Sequence, residues 1–280
     1  MLNATASLGI FDSGVGGLSV LRAIRTELPA ENLLYFGDQG HVPYGPRTLE
    51  EVRAFSEGIT RFLLGLGAKL IVVACNTASA AALHYLRQTF PDVPFVGMEP
   101  AVKPAAEHTQ SGVVGVLATP ATFQGALYAS VVERFANDVM LLQNTCPGLV
   151  GQIEAGKLDT HETRLILEKA IRPMLLKGID TIVLGCTHYP FVIPLIKEIT
   201  GNQVQVIDPA PAVARQTKRL LGYEANSIEK RGYHASGTLR LFTSGSPEAF
   251  ETLLPMLLGE SGYVEGVVWL DELIIRQSAA

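Results

Sequence analysis

Two cysteines stand at matching places in a repeated phrase. Gly67-Ala68-Lys69-Leu70-Ile71-Val72-Val73-Ala74-Cys75-Asn76-Thr77 returns as Gly178-Ile179-Asp180-Thr181-Ile182-Val183-Leu184-Gly185-Cys186-Thr187-His188, so positions 75 and 186 correspond at an offset of 111 residues. A thiolate can act as a general base and a thiol as a general acid. Two such groups on opposite sides of one carbon suit stereoinversion: one removes a proton from one face and the other delivers a proton to the opposite face. A single free cysteine after a strand is often only a small buried residue. Two in a duplicated context, each followed by small polar residues, favour chemistry.

Neighbours of these thiols extend the set. Each cysteine stands just before a predicted helix, whose N-terminus is expected to lower the thiol pKa from about 8.5 towards neutrality. His188 could tune Cys186 or shuttle protons, or be a packing histidine. Asp12 could play the matching part beside Cys75, or cap the helix after it. Ser13, Asn76, Thr77 and Thr187, with nearby backbone N–H groups, could hold a carboxylate, or could be ordinary helix caps. Pro43-Tyr44-Gly45 is a turn expected to expose a phenol, so that Tyr44 and Gly45 could line the mouth of a site. Cys146 precedes Pro147-Gly148, has no counterpart in the first half, and reads as structural.

The elements that must position these groups alternate between strand and helix. Apolar runs at Leu8–Phe11, Asn32–Phe36, the first cysteine phrase and Val93–Met98 read as four strands. Val113–Leu117, Val139–Leu142, the second phrase and Val204–Ile207 replay them. Thr48-Leu49-Glu50-Glu51 is a capping box opening a helix to about Leu66. Asn144–Gly156 reads as a loop carrying Cys146 and Glu154, and Asp159-Thr160 as the start of a helix to about Lys177. This alternation specifies βαβ units and parallel sheets. The expected fold is therefore α/β, with two similar domains related by pseudo-symmetry and a site in the cleft between them. Ligands bind at the carboxyl ends of parallel strands, where Asp12, Asp38, Cys75, Glu99, Thr119 and Cys186 all fall. A helix near 212–221, a strand at Leu239–Phe242 and a helix at Pro247–Leu258 are expected to rejoin the first unit. The domains are then 1–98 with 208–280, and 99–207. No motif is legible after Val264.

Bulk properties bound the function. The chain has 280 residues, 48% hydrophobic and 18% charged, with net charge −5. It can bury ample core, and its lack of a basic block argues against nucleic-acid binding. Three cysteines do not make a disulfide framework and fit a reducing, cytoplasmic setting. No signal peptide is read over Met1–Gly9. The long uncharged stretch Gly112–Val132 reads as strand, loop and helix rather than a membrane span.

One competing signal is Gly14-Val15-Gly16-Gly17-Leu18-Ser19, which follows a strand and opens a helix, with Asp38 closing the next strand. This is close to a dinucleotide fingerprint, the mark of a nucleotide-dependent oxidoreductase. The third glycine is replaced by Ser19, Asp12 would place a negative charge beside the pyrophosphate, and such an enzyme has no use for paired cysteines.

Gly9-Ile10-Phe11-Asp12-Ser13-Gly14-Val15-Gly16-Gly17, Pro43-Tyr44-Gly45, Cys75-Asn76-Thr77-Ala78 and Gly185-Cys186-Thr187-His188-Tyr189-Pro190 resemble, in the same order, the motifs of the glutamate racemases of the cofactor-independent aspartate/glutamate racemase family. The resemblance spans about Leu8 to Leu257. It implies Cys75 and Cys186 as acid/base thiols acting on the D- and L-enantiomers respectively, with no pyridoxal phosphate or other cofactor and no metal. It implies assistance from Asp12, His188 and Glu154. Substrate would be held by Asp12, Ser13, Tyr44, Gly45, Asn76, Thr77, Thr187 and His188, with Thr119 and Thr122 nearby. It further implies a homodimer and D-glutamate supply for peptidoglycan synthesis. The chain lacks the long N-terminal extension of members activated by a cell-wall precursor, so that control is not expected. The nearest alternatives are a relative acting on aspartate or another carboxylate, and a binding protein on the same fold that does not turn glutamate over.

Overall fold

Short runs rich in Val, Ile and Leu become strands buried on both faces, as parallel sheets covered by helices require. The computed structural model describes residues 6–222 and 237–276. Expectations that touch 1–5, 223–236 or 277–280 lie outside the described residues.

The first half contains β1 (Ser7–Asp12), α1 (Leu18–Glu27), β2 (Leu33–Gly37), α2 (Leu49–Gly65), β3 (Ala68–Val73), α3 (Asn76–Thr89) and β4 (Phe95–Gly97). The second contains α4 (Val102–His108), β5 (Val113–Ala118), α5 (Pro120–Gln124), α6 (Ala126–Phe135), β6 (Met140–Asn144), α7 (Leu149–Glu154), α8 (His161–Leu175), β7 (Thr181–Gly185), α9 (Ile193–Thr200) and β8 (Gln205–Ile207). The tail adds α10 (Ala210–Leu220), β9 (Leu239–Thr243), α11 (Pro247–Leu257), β10 (Val264–Leu270) and β11 (Leu273–Arg276).

The duplication seen in the residues is also a duplication of topology. One sheet contains the order β2-β1-β3-β4 and the other the order β6-β5-β7-β8, so each half places its strands alike. All of these pairings are parallel. Ile10 lies between Tyr35 and Val72 as Val116 lies between Gln143 and Val183. The two α/β units share a continuous apolar core, which includes Leu21 and Ile24 of α1, Ile153 of α7, Leu184 of β7 and Val213 of α10.

The tail extends the first sheet through β9 on β2, then β10 and β11. Two expectations need correction. The stretch 144–156 is not all loop: Gly148, at φ 88°, turns the chain into α7, which ends on Glu154. The stretch after Val264, in which no motif was legible, forms the antiparallel hairpin of β10 and β11, the sole antiparallel pairing among the described residues. The Val267-Val268-Trp269-Leu270 run of β-branched and aromatic residues and the paired Ile274-Ile275 carry that signal. The turn at Asp271-Glu272 hid it, because it lacks the glycine of common two-residue hairpins. Asp271 takes a positive φ of 52° instead. Among the described residues no helix is long and apolar enough to cross a membrane.

α2 opens on the expected capping box. Thr48 Oγ1 accepts from the Glu51 N–H at 3.2 Å, and Glu51 Oε2 accepts from the Thr48 N–H at 2.8 Å. Thr48→Ala should destabilise the protein by about 1 kcal/mol, lowering the urea midpoint at unchanged m-value. An unchanged midpoint would show that the box adds nothing.

Candidate active site

The two cysteines leave equivalent strands. Cys75 follows β3, the third strand in its order, and Cys186 follows β7, the third in the other. Both are buried and free of disulfides, and both line one narrow cavity of about 20 Å³ between the units. Ser13, Tyr44, Gly45, Asn76, Thr77, Thr119, Thr187 and His188 line it with them. Asp12 and Thr122 do not reach its wall. Pro43, read in the sequence only as part of its turn, and Val150, not singled out at all, do reach it. Val150 sits on the short α7, so nothing could flag it once that stretch was read as loop.

Cys186 heads a chain of hydrogen bonds. His188 Nδ1 lies 3.7 Å from Cys186 Sγ, and His188 Nε2 lies 2.6 Å from Glu154 Oε1. Glu154 is in turn held from the opposite unit. Its Oε1 accepts from the Val15 N–H at 2.8 Å and its Oε2 from Gln39 Nε2 at 3.1 Å. Burial alone would lower the His188 pKa. The hydrogen bonds to Cys186 and Glu154 and their charges outweigh it and hold the imidazole well above its ordinary range. Burial would raise Glu154, but its hydrogen bond to His188 and the imidazolium charge, with the donors Val15 and Gln39, bring it below the usual value. An imidazolium donates from both nitrogens, so charged His188 can point one N–H at Glu154 and the other at the Cys186 sulfur.

Cys75 has different company. It is the N-cap of α3, with Sγ accepting from the Ala78 N–H at 3.4 Å, and its thiol donates to Ser13 Oγ at 3.8 Å. The expected fall in its pKa does not occur. Burial and the nearby Asp12 carboxylate raise it, and together they exceed the helix N-terminus and the Ser13 hydroxyl. Desolvation of a thiolate is large where no cation compensates. Asp12 itself is fully buried. Its Oδ2 accepts from the Gly14 and Gly17 N–H groups, and its Oδ1 accepts from Thr187 Oγ1 at 3.2 Å across the cleft. Burial raises its pKa, against the pull of His188 and the two backbone donors. Asp12 thus caps its loop and ties the units together.

The glycine-rich turn serves this arrangement, not a nucleotide. A Cβ on Gly14 would stand 1.9 Å from Glu154 Oε1, and one on Gly16 would stand 2.4 Å from His188 Nδ1. The missing side chains make room for Glu154 and His188 of the other unit.

Other singled-out residues fall as follows. Tyr44 is not exposed: its ring is buried and its hydroxyl donates to Asp38 Oδ2 at 2.5 Å. Thr119 Oγ1 lies 3.0 Å from Thr77 Oγ1 across the cleft and 3.0 Å from Thr122 Oγ1, so Thr122 acts one layer back. Asn76 is buried, and among the described residues neither its Oδ1 nor its Nδ2 has a hydrogen-bond partner. Buried polar atoms are rarely left so, and an amide facing a cavity in this state is suited to a polar ligand. Cys146 is buried at φ 43°, and burial, then the neighbouring Cys186, pushes its thiol up to about 12. Among the described residues no cluster of three His, Cys, Asp or Glu side chains could hold a metal ion.

Residues 9–217 match the Asp/Glu/Hydantoin racemase family. The chain belongs to this family. A glutamate racemase of Pseudomonas aeruginosa is 52% identical over 255 residues, 91% of this chain and 95% of its own. Among solved structures, glutamate racemase of Escherichia coli in complex with L-glutamate and the activator UDP-MurNAc-ala superposes with TM-score 0.81 at 33% identity, covering 95% of this chain and 99% of that one. That of Francisella tularensis in complex with D-glutamate does so with TM-score 0.80 at 28% identity, covering 96% and 99%. Membership in a racemase family accounts for glycines that mimic a nucleotide motif while cradling an acid and an imidazole.

Glu154→Gln tests the relay. His188 is raised in the folded state, so its stabilisation is complete below its ordinary value of 6.5 and is lost as pH rises through the folded value. Glu154 is lowered, so its share is present above 4.5 and is lost as pH falls through its folded value. The variant should therefore cost most between these pH values, roughly 3 kcal/mol, and less on either side. NMR titration should show the His188 imidazole losing its proton at lower pH in the variant. An unchanged His188 titration would contradict the relay.

Proposed function

We propose that this racemase-family chain interconverts L- and D-glutamate, with Cys75 and Cys186 exchanging the α-proton on opposite faces. One observation carries the reading: thiols from topologically equivalent strands of two sheets share one cavity. In one direction the Cys186 thiolate takes the Cα proton of L-glutamate and the Cys75 thiol donates its proton to the other face. Cys186 ends as thiol and Cys75 as thiolate, and D-glutamate runs the sequence backwards.

The surroundings suit these steps. Charged His188, anchored on Glu154, stands 3.7 Å from the Cys186 sulfur, where its N–H can stabilise negative charge on that sulfur as the proton moves. The raised pKa keeps Cys75 protonated, ready to donate, and the α-ammonium of a bound amino acid supplies the cation that Cys75 lacks when it must be a base. The Asn76 amide and the backbone N–H groups opening α3 can hold a substrate carboxylate. Ser13, Thr77, Thr119 and Thr187 complete a polar wall, with Tyr44, Gly45 and His188 closing it. The reading includes the division at 1–98 with 208–280 and 99–207, supported by sheet membership. It also includes a cytoplasmic homodimer that supplies D-glutamate for peptidoglycan and cell shape, in line with the family resemblance.

Purified protein with L-glutamate and no added cofactor should lose ellipticity to zero. Cys75→Ser and Cys186→Ser should each lower kcat by about 10²–10⁴. A folded protein that leaves the signal unchanged, or full activity in either variant, would refute the reading.

A further inference from the structure

Asp38, the residue after β2, is fully buried, and four side chains converge on its carboxylate. Tyr44 OH donates to Oδ2 at 2.5 Å, Ser244 Oγ to Oδ1 at 2.6 Å and Trp269 Nε1 to Oδ1 at 3.0 Å, while His41 Nδ1 lies 3.0 Å from both oxygens. These groups come from separate parts of the fold. Tyr44 is the wall of the cavity, Ser244 follows β9, and Trp269 is on the C-terminal hairpin. Ser244 and Trp269 both lie beyond the residues that match the family.

The indole is seated by packing as well. It rests on α2, where a Cβ at Gly58 would stand 2.6 Å from its Cζ3. His41 stacks on Phe55 at 4.1 Å between ring centres, and Trp269 meets both rings edge-on at 5.3 and 5.8 Å. Phe55 in turn leans on Tyr44 at 5.6 Å. The next residue, Gln39, continues the connection. Its Oε1 accepts from Thr243 Oγ1 at 3.0 Å and its Nε2 donates to Glu154. Both the cavity wall and the carboxylate behind His188 therefore hang on strands that the tail adds to the first sheet.

We propose that Trp269 is a positioning residue: by donating its indole N–H to Asp38 it fixes the carboxylate that holds Tyr44 and Gly45 in the wall of the substrate cavity. A buried carboxylate needs all its donors to keep one orientation. Removing the indole donor frees Asp38 to turn, and with it the Tyr44 hydroxyl. A wall residue that does not exchange the proton contributes to substrate binding before and during the reaction alike, so its displacement is read in KM rather than in kcat.

This inference rests on the glutamate reading, and the test separates the two. Trp269→Phe keeps a ring on Gly58 but removes the N–H. In the racemisation assay its KM for both enantiomers should rise about tenfold with kcat within about twofold, as expected for one hydrogen bond to a charged group. Tyr44→Phe should raise KM likewise, and the double variant should be no worse than either, because both act through Asp38. A wild-type KM in Trp269→Phe, or effects that multiply in the double variant, would overturn the proposal. Should Trp269→Phe not fold, Gly58→Ala pushes the indole and its N–H away from Asp38 while keeping every hydrogen-bonding side chain of the cluster, and the same KM rise or its absence decides. A second readout needs no turnover: Trp269 is the chain's single tryptophan. Its emission should change in Tyr44→Phe, and an unchanged spectrum overturns the link. If the wild type does not racemise glutamate, the functional reading falls, and this spectrum still decides whether Trp269 and Tyr44 are joined through Asp38.

Discussion

One carboxylate, that of Glu154, is shared by both halves of the molecule. It takes the His188 imidazole from its own unit, and the Val15 N–H and Gln39 amide from the other. A buried charge is tolerable only when its hydrogen-bonding capacity is met, so Glu154 fixes how closely the two units approach. The Asp12–Thr187 and Thr77–Thr119 bonds and the Ser19 hydroxyl on the Thr187 carbonyl repeat the same cross-cleft logic with smaller groups. Thr77, Thr119, Thr187 and His188, which make these bonds, also line the cavity that holds the two thiols.

The two copies of the cysteine phrase supply symmetry, and their neighbours remove it. On the Cys75 side the partners are a hydroxyl, a backbone N–H and a carboxylate, which leave the thiol hard to ionise. On the Cys186 side stands an imidazole, 3.7 Å away, whose pKa is raised against burial by its hydrogen bonds to Cys186 and Glu154. In the proposed reaction the two faces of the α-carbon differ: a cation-backed sulfur stands on one side and a thiol kept protonated by burial on the other. The glycines of the turn after β1 belong to this second arrangement, since any side chain at Gly14 or Gly16 would collide with Glu154 or His188.

What was legible in the residues depended on locality. Parallel strands, the capping box at Thr48 and the pairing of Cys75 with Cys186 were readable because each is written in a short stretch or a repeat. The helix carrying Glu154 was hidden by Cys146-Pro147-Gly148, whose composition signals a break, though the break is only the entry to α7. The hairpin carrying Trp269 was hidden by a turn without glycine. Burial was the least accessible quantity. The helix N-terminus at Cys75 was correctly located, yet its effect on the thiol was outweighed by desolvation and by Asp12, which lies 63 positions earlier in the chain. Tyr44 was placed in a turn, as it is, but a turn residue can be buried when a carboxylate such as Asp38 receives its hydroxyl.

The central claim is that each thiol serves one face of one carbon. Racemisation of L-glutamate in deuterium oxide, stopped early, tests it directly. Solvent-exchanged thiols on opposite faces should place one deuterium at Cα of the D-glutamate formed, while the recovered L-glutamate stays protiated. Deuterium appearing in recovered L-glutamate at the rate of turnover would mean that a single group removes and returns the proton on one face, and would contradict the account.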